Sequence, residues 1–253
     1  MMQTLPVLLA LLAAAVGFAQ PAPIRVLFVG NSLTYANDLP GIVSAIASAE
    51  GHTVICEMVA FPDVSLEDHW RRGEARAAIA RGGWHTVILQ QGPSALMESR
   101  ALLVEYAKRF DREIRRSGAS TALYMVWPSR QRRGDFPGTS SSYAAAARAV
   151  GGLLLPVGDA WREAWRIDSG LALYGPDEFH PSKLGSALAA IVIVEGLTGR
   201  AVRALPPDVP ATASEAAALV AAAGAVRARP RIFARFLLPA GQALTRPAPG
   251  PKI

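Results

Sequence analysis

Short runs of apolar residues recur along this chain, each too brief for a helix and too continuous for a half-exposed strand. They are Ile24–Val29, Thr53–Val59, Thr86–Gln90, Ala122–Trp127 and Leu153–Val157. A strand buried on both faces reads in this way. Helical patterns alternate with them near Pro40–Glu50, Leu66–Arg81, Leu96–Ser117, Ser141–Val150 and Ala160–Ile167, and a last helix runs from about Ser182 to Leu197. Alternating strand and helix predicts a parallel sheet with helices on both faces. Right-handed crossovers then give a three-layer α/β/α sandwich, flavodoxin-like, whose five strands are most simply ordered 2-1-3-4-5. Ligands of such sheets bind beyond the carboxyl ends of the strands, so the chemistry is expected there.

Composition narrows the classes further. The 253 residues, 51% of them hydrophobic, are enough for one large domain with a sizeable core. Cys56 is the one cysteine, which excludes a disulfide scaffold and a thiolate-rich metal site, so no metal or cofactor is expected. The formal charge of +6 invites a nucleic-acid reading. However, the clusters at Arg130, Arg132, Arg133 and at Arg227, Arg229, Arg231, Arg235 lack the aromatic interleaving and zinc-finger spacing of a reader module. Nucleic acid is therefore not expected as a partner.

The two ends differ from the middle. Leu5–Val16 is apolar and is followed by Gly17-Phe18-Ala19, then Gln20-Pro21. A run shorter than the ~20 residues of a membrane span, with small residues before the break, predicts a signal peptide over 1–19, cut after Ala19. The mature protein is then secreted or periplasmic, with no stable membrane span. The absence of positive charge in MMQT departs from the usual pattern and leaves a buried N-terminal helix as the other reading. Residues 20–200 form the main domain. In 201–253, Pro206, Pro207 and Pro210 lead into an alanine-rich helix around Ala211–Val226 and then an aperiodic tail, packed on the domain or trailing it.

Three segments at strand ends carry chemistry. After the first strand comes Gly30-Asn31-Ser32-Leu33-Thr34, in which Gly allows a sharp turn and presents the Ser32 hydroxyl at the sheet edge. Alone, Ser32 reads equally as a helix cap. After the fifth strand and its helix, Asp177 and His180 lie three apart in a Gly- and Pro-rich turn just before a helix. A short Asp-x-x-His loop can place a general base beside the carboxylate that fixes its tautomer. After the third strand comes Gln90-Gln91-Gly92, and a glutamine at an apolar strand end either donates to a developing oxyanion or ties a loop to backbone. His69, at what reads as a helix start, is expected to be structural.

Together these blocks resemble the SGNH (GDSL-type) hydrolase superfamily over roughly Ile24 to Arg200, with Asn31 where Asp is usual. The resemblance implies Ser32 as nucleophile, His180 as general base and Asp177 as its orienting partner. It implies an oxyanion hole formed by Ser32, by Asp63 at the position where the family has glycine, and by Gln91, with Gln90 as the alternative. The Gln-Gln-Gly element is similar to that of the carbohydrate-acetyl-esterase branches. The implied function is an exported serine esterase of small acyl esters, chiefly acetyl, with acetylated carbohydrates among the substrates and no cofactor. The competing readings are a lipase or thioesterase, and a non-catalytic surface or carbohydrate-binding protein that kept the fold. Asp63 motivates the last, since a carboxylate near a forming oxyanion opposes it, and a positive φ there would strain the backbone. The Arg130–Asp135 loop reads first as a solvated arginine-rich loop; its place at the same sheet edge leaves a substrate-facing role as the other reading, with an Arg binding a sugar and Trp127 stacking on its ring.

Overall fold

The computed structural model describes residues 22–228, so the expected signal peptide and the end of the tail, including Arg229, Arg231 and Arg235, lie outside the described residues. Five strands form one sheet: β1 (Ile24–Gly30), β2 (Val54–Ala60), β3 (Thr86–Leu89), β4 (Ser120–Tyr124) and β5 (Leu153–Leu155). All neighbours pair parallel, in the order β2-β1-β3-β4-β5. Val26, Leu27, Phe28 and Val29 of β1 are fully buried, as the apolar run predicts. The register pairs Val29 with Val59 on one side and Leu89 on the other, which brings the exits of β1 and β3 together.

The helices are α1 (Ser32–Tyr35), α2 (Leu39–Ala49), α3 (Leu66–Arg72), α4 (Glu74–Ala80), α5 (Met97–Arg116), α6 (Phe136–Val150), α7 (Val157–Ile167), α8 (Lys183–Thr198) and α9 (Ala213–Arg227). In one group α8 packs against α2, α7 and α9; in the other α5 packs against α3, α4 and α6. The alanine-rich C-terminal helix, α9, buries Ala218, Leu219, Ala222 and Val226. Arg227 at its end pairs with the buried Glu195 at 3.2 Å. No described helix is long and apolar enough to cross a membrane.

Four boundaries differ from expectation. The helix predicted over 66–81 is two, because Gly73 takes φ 93° and its N–H closes α3 on the His69 carbonyl. The strand predicted to reach Trp127 stops at Tyr124, since its partner β5 is three residues long and α7 begins almost at once. That early start of α7, at Val157, also shortens the fifth strand. Finally, α6 begins at Phe136 rather than Ser141, with Pro137 in its first turn, where a missing N–H costs nothing.

Candidate active site

The serine turn is built by close approach. A Cβ on Gly30 would lie 2.2 Å from Thr34 Oγ1 and 2.4 Å from Gln90 Oε1, so the chain can leave β1 this tightly only through glycine. Asn31 then caps α1, its Oδ1 accepting from Leu33 N at 3.1 Å, and Ser32 stands first in the helix. Gln90 is fully buried behind the turn. Its Oε1 accepts from Asn31 N and Thr34 Oγ1, both at 2.8 Å. Its Nε2 donates to Asn31 Oδ1 at 2.9 Å and to the Gln91 carbonyl at 2.7 Å. With its amide fully engaged, Gln90 braces the serine turn, and the alternative role of oxyanion donor does not fit it.

His69 is buried beneath the same turn and donates from Nε2 to the Gly30 carbonyl at 2.7 Å. A carbonyl only accepts, which fixes the proton on Nε2 and leaves Nδ1 bare and buried without a partner. Burial lowers its pKa below the ordinary histidine value, with the Gly30 bond opposing. The structural role expected for His69 is the one observed.

The histidine loop folds on itself. An isolated bridge between Tyr174 and Pro181 closes it. Asp177 Oδ1 accepts from the N–H groups of Phe179 (3.1 Å) and His180 (2.9 Å), and Oδ2 meets His180 Nδ1 at 2.5 Å. The bond to His180 is the main reason the Asp177 carboxyl lies below the usual range, and the two backbone donors add to it. Glu178, at φ 60°, is held by Gln131 Nε2 at 2.5 Å and by Arg130, through Nε–Oε1 at 3.3 Å and backbone N to O at 2.8 Å. Among the described residues neither Ser32 Oγ nor His180 Nε2 has a protein hydrogen-bond partner, so both atoms are uncommitted.

Ser32 lies in the wall of a cavity of about 580 Å³. Val64, Pro93, Leu96 and Leu102 give it an apolar side; Arg132 and Asp135, paired at 2.5 Å, give it a polar one. Asp63 also lines it and does adopt φ 55°. The backbone N–H groups of Ser32 and Asp63 have no protein acceptor among the described residues. Gln91 reaches the cavity, but its Nε2 donates to Ser94 Oγ (2.8 Å) and the Ser99 carbonyl (3.3 Å), while its Oε1 accepts from Leu66 N (3.1 Å). In this state it ties the 91–99 loop together.

The substrate-facing reading of the arginine loop holds only in part. Of its three arginines only Arg132 lines the cavity. Arg130 lies over Tyr174, 5.3 Å from the ring centroid, and Arg133 over Trp165 at 3.9 Å, so both fasten the histidine loop and its support. Trp127 is not available to a sugar. It is fully buried, stacked on Trp161 with centroids 3.7 Å apart, and its Nε1 donates to the Phe179 carbonyl at 3.0 Å. One contributor escaped the sequence reading. Tyr143, buried in α6, accepts from Gln91 N at 3.2 Å and donates to the Gln91 carbonyl at 2.6 Å. A tyrosine on a helix face carries no mark of a partner fifty residues away.

No protein-family model and no curated protein sequence matches the chain. Solved structures do. The chain is similar to a protein from Slackia heliotrinireducens described as an SGNH hydrolase, at 27% identity and a TM-score of 0.58, over 69% of this chain and 99% of that one. A DUF4886 family protein from Bacteroides uniformis shares 22% identity at a TM-score of 0.69, over 81% and 95%. A variant of an acetyl-xylooligosaccharide esterase from Geobacillus shares 13% at 0.51, over 68% and 91%. The last two likenesses concern the fold. The sheet order, the sequence blocks at its strand ends and the likeness to the Slackia protein together support the SGNH hydrolase superfamily and, with it, a serine ester hydrolase.

Proposed function

We propose that the protein is an exported esterase of small acyl esters, chiefly acetyl, working through an acyl-enzyme on Ser32. The observation that carries this reading is the self-assembled Asp177–His180 pair, with its Nε2 uncommitted, in a fold that also seats Ser32, its Oγ uncommitted, in the wall of a cavity. Ser32 Oγ attacks the acyl carbonyl as His180 Nε2 takes its proton, and Asp177 holds the imidazole with Nδ1 protonated. The N–H groups of Ser32 and Asp63 receive the developing oxyanion. Gln91 Nε2 joins them by exchanging its bond to Ser94 Oγ. His180 then protonates the leaving alcohol, and water repeats the sequence to release the acid. The apolar side of the cavity suits a short acyl chain, and the Arg132–Asp135 pair offers donor and acceptor to a hydroxylated alcohol such as a sugar. The expected signal peptide supports export.

The test is hydrolysis of p-nitrophenyl acetate by residues 20–253 and by Ser32→Ala. A fluorophosphonate adduct located on Ser32 by mass spectrometry is the expected result. Equal, background-level rates for both proteins would sink the reading.

A further inference from the structure

The serine and the histidine sit on segments far apart in sequence, and the free enzyme contains no bond between the two side chains. Something else has to set their spacing. Asn37 lies five residues after Ser32, in the 3₁₀ turn Ala36–Asp38. Its Nδ2 directs its two hydrogens to the Pro181 carbonyl and to Ser186 Oγ, each at 2.9 Å. Pro181 immediately follows His180, and Ser186 is buried in the first turn of α8. Among the described residues no other hydrogen bond or ion pair joins 31–38 to 174–186. One carboxamide therefore spans the gap between the two halves of the catalytic pair.

Reaching that position has a conformational cost. Asn37 is at φ 55°, ψ 21°, and Asp38 beside it is at φ 55°, ψ 52°. Two consecutive side-chain-bearing residues in the left-handed region are unusual, and Asn is among the few that tolerate it. Pro181 has no N–H, so at this point the histidine loop can be held only through its carbonyl. A group with two donors meets that carbonyl and the Ser186 hydroxyl at once, which an aspartate of the same shape would not.

We infer that Asn37 is a positioning residue that sets the distance between Ser32 Oγ and His180 Nε2 by tying the serine turn to the entry of α8. This rests on the esterase reading above. It requires catalysis and stability to separate on substitution. Asn37→Gly removes the carboxamide while relieving the positive φ, so its melting temperature should stay near that of the wild type. Its kcat on p-nitrophenyl acetate should fall by about 10- to 100-fold, the scale of a small misplacement of reacting groups, with KM within about twofold. Fluorophosphonate labelling of Ser32 should slow by the same factor. Ser186→Ala, which leaves the Pro181 bond in place, should lose less. Wild-type activity with an Asn37→Gly variant at wild-type kcat overturns this inference alone. So does a loss of activity that merely tracks a lowered melting temperature. A wild type that neither turns over the ester nor is labelled on Ser32 overturns the esterase reading and this inference with it.

Discussion

Asp177 binds His180 twice, through the ring at Oδ2 and through the backbone N–H at Oδ1, so one carboxylate fixes both the imidazole and the peptide that carries it. An amide in its place would keep the shape and offer the ring a donor where an acceptor is needed. Asp177→Asn should therefore lower kcat by about 10²–10⁴-fold. As an exposed site its stability should change by only about 0.5 kcal/mol, measured by urea denaturation. Because the His180 bond keeps the Asp177 carboxyl below its ordinary pKa, the orienting charge persists as the pH falls through the usual carboxylate range. The activity should then not fall away with a carboxylate near pH 4, and a pH–rate profile whose acid limb lies there would contradict this assignment.

Gly30 tests the packing argument behind the serine turn. An added methyl would collide with Thr34 Oγ1 and with Gln90 Oε1. Gly30→Ala should cost about 1–3 kcal/mol of stability and depress activity along with it. Adding Thr34→Ala should recover only part of the loss, since the clash with Gln90 remains. Full recovery in the double variant would show that Gln90 yields easily and is no brace.

His69 makes stability depend on pH with a definite sign. Its folded-state pKa is lowered, so on acidification the unfolded chain takes up a proton before the folded one. The stabilisation is complete above about pH 6.5 and is lost as the pH falls from there towards the folded-state value. His69→Gln offers the Gly30 carbonyl an amide N–H but does not titrate. The gap between wild-type and variant urea midpoints should narrow from pH 7.5 to pH 5.5. A constant gap would mean that the imidazole stays in one protonation state throughout.

Asp63, in the wall of the cavity, combines a left-handed backbone with a carboxylate side chain. Glycine removes both. The strain relieved is about 1 kcal/mol, offset in part by the greater freedom glycine gives the unfolded chain. Asp63→Gly should thus be at least as stable as wild type, and kcat on a neutral acetyl ester should rise several-fold as the negative charge leaves the oxyanion site. A fall in kcat/KM carried by KM would instead make the carboxylate a substrate contact.

The sheet was legible because burial on both faces writes itself as unbroken apolar runs, and such runs need no knowledge of their partners. The strand order followed from chirality and the shortness of connections. Ser32, Asp177 and His180 stood out only jointly, since each block is weak alone and the roles came with the resemblance; the structure seats Asp177 on His180 and Ser32 in a cavity wall. What escaped depends on parity and on distant partners. Whether Gln90 or Gln91 faces inward is a question of alternation, and β3 ends at Leu89, just before the alternation would have answered it. Trp127 reads as an exposed platform until Trp161, 34 residues on, is placed against it. Arg130 and Arg133 look like ligand-seeking charges until their partners, Glu178, Tyr174 and Trp165, are seen in space.

The stacked indoles under the histidine loop give this protein an optical handle. Trp127 and Trp161 are close and nearly parallel enough to couple as chromophores, and Trp127 is bonded to the peptide next to His180. Any loosening of that loop perturbs the pair before it disturbs the helices or the sheet. The near-ultraviolet circular dichroism should therefore register the seating of His180 while the far-ultraviolet signal stays constant. A spectrometer can then follow the active site with no label attached.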